Sequence, residues 1–172
     1  MTDPPSPTVG TAPAIAVVGA DEQNDVDVDV DRWCRLATDV LIAEGRRGEL
    51  MLTFVDTGEI ANLNAEHMGQ QGPTDVLSFP LDRDEPAHSD VPVLLGDVVV
   101  CPAVARDQAP EHAGSLEDEL ALLVVHGVLH VLGHDHAHSD ETALMQSREL
   151  ELLRKFHWNG PASAAFRQEH DS

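Results

Sequence analysis

Residues 116–132, LEDELALLVVHGVLHVL, restrict the fold of this chain more than any other stretch. The run is too long for a strand, and beyond its acidic first turn almost every position is apolar. Ser115, with Asp118 three residues on, supplies a capping pair, so the spacing predicts a helix from 116 to about 132. A helix that is apolar nearly all round must be enclosed on every side, which puts it at the centre of a domain. Two polar residues interrupt it, His126 and His130. They share one face, and unpaired imidazoles are costly to bury there.

The pattern continues into HGVLHVLGHDH, residues 126–136. Gly133 can take a left-handed position just past the helix and turn the chain, bringing His136 back towards the first two histidines. Three neutral nitrogen donors with a fourth position open are the ligand set of a catalytic zinc site. His126, His130 and His136 are therefore the expected ligands of one Zn2+ per chain. The spacing is also the skeleton of the metzincin signature H-E-x-x-H-x-x-G-x-x-H, but Gly127 stands where that signature has its glutamate base. The cage matches and the proteolytic base is missing, which predicts a hydrolytic site with a different proton acceptor. Asp135, beside the third ligand, is a candidate for orienting a histidine or relaying a proton. Glu141 is a further candidate. His134 and His138 read as solvated histidines.

A chain of 172 residues fits one domain. Residues 1–13 are rich in proline and threonine and read as disordered, 14–158 as the domain, and 159–172 as a flexible tail. Strands are expected at 14–19, 49–55, 74–81 (a buried one) and 94–101, with 82–92 a loop. Helices are expected over Trp33, Leu36, Ala37, Val40 and Leu41, ending near Gly45, then from Asp56 or Thr57, from Pro102, over 116–132, and from Ser139 to about Phe156 with Leu144, Met145, Leu150, Leu152 and Leu153 on its apolar face. The fold class is mixed α/β (α+β): a single sheet of about four strands packed with about five helices, the zinc site at the end of the central one.

Cys34 and Cys101 are too few for a disulfide framework, and no basic-then-apolar leader opens the sequence, so the expected compartment is the cytoplasm. The net charge of −21 argues, on composition alone, against a chain that captures nucleic acid by long-range attraction.

Four segments together carry a resemblance: TDVLSFP at 74–80, LGD at 95–97, the histidine run at 126–136, and Met145 followed by Glu149. They closely resemble the YbeY family of endoribonucleases, over roughly residues 14–156. The resemblance implies a single mixed α/β domain with one zinc on His126, His130 and His136. It also implies single-strand-specific cleavage of RNA in ribosomal RNA processing, notably at the 3′ end of the small-subunit RNA, and a part in ribosome quality control. The implied partners are ribosomal RNA and the ribosome or its small-subunit proteins. Thr74, Asp75 and Ser78 are candidates for shaping the substrate cleft, though each could equally serve structural hydrogen bonding, and His67 is a further candidate. Met68 departs from the pattern, since many relatives carry an arginine there. Two competing readings are a metal-dependent peptidase and a non-catalytic ribosome assembly factor with a structural zinc.

Overall fold

A computed structural model describes residues 15–81, 93–134 and 139–168. Four strands, β1 (Ile15–Asp21), β2 (Gly48–Phe54), β3 (Val76–Pro80) and β4 (Leu94–Val100), form one sheet in the order β1-β2-β4-β3. The first three in that order run parallel, and β3 lies antiparallel on the outside of β4. Five α-helices accompany the sheet among the described residues: α1 (Val30–Ala43), α2 (Thr57–Leu63), α3 (Pro102–Gln108), α4 (Leu116–Val131) and α5 (Ser139–Leu153). The mixed α/β expectation and its element count hold.

Local chemistry accounts for the helix starts. Asp29, Asp56 and Ser115 each accept a hydrogen bond from a backbone N–H three residues on, supplying partners that the first turn lacks. Pro102 opens α3, where its missing N–H costs nothing. In α1, Trp33, Leu36, Ala37, Val40 and Leu41 recur at helical spacing and are all buried.

The central helix is where its composition placed it. From Leu120 to Leu129 only His126 is not fully buried, because α1, α3, α5 and strands β3 and β4 surround α4. Leu50, Leu52, Phe54, Val98 and Val100 face it from the sheet in one continuous core. The alternate residues Leu77 and Val99 point to the opposite face, forming a smaller cluster with Val55, Ile60, Cys101 and Ala103.

Two expectations need correction. Strand β3 is an edge strand, with only Leu77 buried and Pro80 exposed. Its apolar run does not mean enclosure, because it has one neighbour and alternate side chains serve two separate clusters. Proline, lacking an N–H, is at home on such an edge. Leu144 is 69% exposed, outside the face that buries Met145, Leu152 and Leu153, since it sits nearly a third of a turn from Met145. Beyond Trp158, Phe166 packs edge-on against Trp158 at 4.8 Å, and the Arg167 N–H donates to the His112 carbonyl at 2.9 Å. The 82–92 loop lies outside the described residues. No described helix is long and apolar enough to cross a membrane.

Candidate metal centre

His126 and His130 occupy successive turns at the end of α4, their ring centroids 5.4 Å apart and their planes at 67°. Both are half-buried in a helix otherwise sunk in the core. Behind His126 stands Glu149 of α5, 1% exposed, with Oε2 2.6 Å from the imidazole Nδ1. A carboxylate can only accept, so neutral His126 carries its proton on Nδ1 and its lone pair on Nε2. This carboxylate–imidazole pair is the arrangement that orients metal-ligating histidines. Glu149 is the residue that attention to the histidines alone overlooks. The Met145/Glu149 spacing held the signal: four residues apart on a helix, both are buried on its inner side.

Gly127 has a steric explanation. A Cβ there would lie 2.6 Å from Val98 Cγ1 and 3.4 Å from Ser78 Oγ. The position faces the sheet at van der Waals distance, with room for no side chain. Ser78 Oγ donates to the Gly127 carbonyl at 3.2 Å, tying β3 to the helix between the two histidines. A glutamate base at 127 is thus excluded by packing. Past the helix, Gly133 has φ 108°, the positive value that the spacing anticipated.

His136 and Asp135, expected as third ligand and relay, lie outside the described residues, as does His138. Among the described residues, no group of three or more His, Cys, Asp or Glu side chains gathers to hold a metal ion. The half-site that is described fits zinc chemically: two imidazoles at helical spacing, one backed by a buried carboxylate. Cys34 and Cys101 join no ligating group among the described residues, and burial pushes both thiols up from their ordinary value. His134 pairs with Glu44 at 3.2 Å, and Arg148 binds the same carboxylate, so His134 has a structural partner of its own.

The other candidates disperse. Thr74 Oγ1 lies 3.4 Å from Asp75 Oδ1. Asp75 turns into a polar cluster: Gln108 Nε2 donates at 2.7 Å to both Asp75 Oδ2 and Glu119 Oε2. Glu119, fully buried, also accepts from the Ala113 N–H at 3.1 Å and lies 2.8 Å from His112 Nδ1. One amide therefore separates two carboxylates, which argues for a structural role for Asp75. Gln108→Leu keeps the bulk but removes both donors, and should destabilise the protein by about 3 kcal/mol, read as a lower urea midpoint. An unchanged midpoint would show that the bridge contributes nothing. His67 packs edge-on to Phe79 at 5.2 Å, and Met68 beside it is 42% exposed with no charge to offer an anion. Glu141 is exposed in the first turn of α5.

Comparison with known proteins matches this architecture to one family. Residues 19–157 match the family described as Endoribonuclease YbeY. Proteins of that name from Acidothermus cellulolyticus and Thermobifida fusca are similar. The first is 48% identical over 141 residues, covering 76% of this chain and 85% of the relative. The second is 43% identical over 136 residues, covering 76% and 88%. A solution structure from Thermotoga maritima shares the fold at a TM-score of 0.55 and 23% identity, spanning 83% of this chain and 93% of its own. With its histidine-bearing central helix, its four-stranded sheet and a family match across nearly the whole described domain, this chain belongs to the YbeY endoribonuclease family.

Proposed function

We propose that this chain is a zinc-dependent endoribonuclease that cleaves single-stranded RNA, acting in ribosomal RNA processing at the small-subunit 3′ end and in ribosome quality control. The carrying observation is the His126–Glu149 pair at 2.6 Å, one turn from His130. In this reading His126, His130 and His136 hold the zinc, with Nε2 the donor of His126. When bound, zinc supplies Lewis acidity towards a phosphoryl oxygen of the substrate.

The chain's own residues divide the remaining work. Glu149 holds the His126 ring and its tautomer. Ser78, through the Gly127 carbonyl, holds the helix against the sheet. Asp135 is the proposed proton relay, adjacent in sequence to the third ligand, with Glu141 as the alternative. The 2′-hydroxyl of RNA can also serve as nucleophile, in which case the cleaved ends carry a 2′,3′-cyclic phosphate. The cytoplasm and the ribosome belong to the same proposal. A ribosome-bound substrate would relieve a protein of net charge −21 from capturing bare RNA by itself.

The test is cleavage of small-subunit RNA precursor, bare and ribosome-bound, by zinc-loaded and by chelator-treated protein. Cleavage that requires zinc and spares duplex RNA is the expected result. Binding to ribosomes without zinc-dependent cleavage of either substrate would favour the assembly-factor reading and overturn this one.

A further inference from the structure

The family match ends at residue 157, yet the chain continues across the domain and returns to the metal half-site. We propose that residues 158–168 form a strap that positions His126, with Gln168 as its working group; this rests on the zinc reading above.

Gln168 Nε2 donates to the Gln146 carbonyl at 2.6 Å and to Glu149 Oε1 at 3.0 Å. Both partners are pure acceptors, so the amide orientation is set by them. Glu149's other oxygen, Oε2, is the one that meets His126 Nδ1. The carboxylate is thus shared: one oxygen held by the strap, the other holding the imidazole. Without the amide, a carboxylate 1% exposed keeps one oxygen short of a donor and is free to rotate about its last torsion. The plane that aims His126 would then be less well defined.

Gln168 arrives on an anchored backbone. The Arg167 N–H donates to the His112 carbonyl at 2.9 Å. Ala165 sits so close to Gly114 that a Cβ there would come within 2.9 Å of its methyl. Phe166 packs on Trp158, whose indole N–H donates to Asp118 at 3.1 Å. The strap therefore links the start of α4, through Asp118, with the carboxylate behind the ligand near its end. Gln168 touches no ligand itself and is a positioning residue.

The experiment compares the full chain with Gln168→Ala and Gln168→Glu, the second of equal size but without the donor and with a charge facing Glu149. Zinc affinity is measured by chelator competition, the His126 tautomer by long-range 15N NMR, and folding by the melting temperature of the metal-free protein. Loss of an outer partner lowers metal affinity by about 10–100-fold, so one step further out Gln168→Ala should weaken zinc about 3–10-fold, and Gln168→Glu more. In a Glu149→Ala background the Gln168→Ala effect should vanish. Zinc affinity unchanged in both Gln168 variants, even with a lowered melting temperature, overturns the strap. His130→Ala is the control: if wild type holds zinc no better than it does, the zinc reading fails before the strap is tested.

Discussion

A glutamate introduced at position 127 is expected to unfold this protein, even though it completes the H-E-x-x-H pattern of a zinc peptidase. The first atom of any side chain there would already be 2.6 Å from Val98 Cγ1. Gly127→Ala alone should therefore cost about 1–3 kcal/mol by overpacking. Glutamate adds an unpaired carboxylate against a face formed by Val98 and Ser78, at a further cost of several kcal/mol. Together these are comparable with a whole domain's stability of about 5–15 kcal/mol. Gly127→Glu should accumulate as insoluble chain, with Gly127→Ala soluble and melting lower than wild type. A soluble Gly127→Glu variant that hydrolyses unstructured polypeptide would reverse the interpretation of this position.

His130→Ala is expected to abolish zinc retention while leaving the fold in place. The imidazole is half-buried at the end of α4 and its removal opens no large cavity. Cleavage of single-stranded RNA should fall by on the order of 100-fold or more, since even outer-shell partners account for about 10–100-fold. Metal content after dialysis and cleavage rate are the two readouts, with the melting temperature of the metal-free protein near wild type. Retention of both metal and rate would remove His130 from the ligand set.

Much of this was legible in the order of residues because the responsible forces are local. Helix α4 had to be central because, past its acidic first turn, apolar residues cover it nearly all round. Its Ser115 cap, the Asp56 cap of α2 and the Pro102 start of α3 act over three or four residues, and each emerges in the structure. What could not be read was pairing between distant segments. In VLSFP only Pro80, which lacks a ladder donor, hints at an edge strand, and the apolar run itself does not reveal that β4 takes the inner place. The bridge from Asp75 through Gln108 to Glu119 joins three elements, and only the folded chain brings those polar groups into contact. Glu149 follows Met145 at helical spacing in the sequence, but its partnership with His126 depends on how α5 packs against α4. The proposed ligand His136 rests on spacing and family resemblance, and the proposed relay Asp135 on its place beside His136 in the sequence.

The glycine contact beneath the histidines also has a mechanical consequence. With Gly127 seated on Val98 and its carbonyl held by Ser78, sliding α4 along the sheet would break that hydrogen bond and press the helix on Val98, which favours a stiff support for the imidazole pair. On the proposed function, adaptation must come from the nucleic acid. A strand that bends at every nucleotide can be drawn onto such a point. A duplex, whose bending is stiff over about 150 base pairs in the case of DNA, cannot without a large deformation energy. Under that proposal, preference for single strands is expected from rigidity on the protein side.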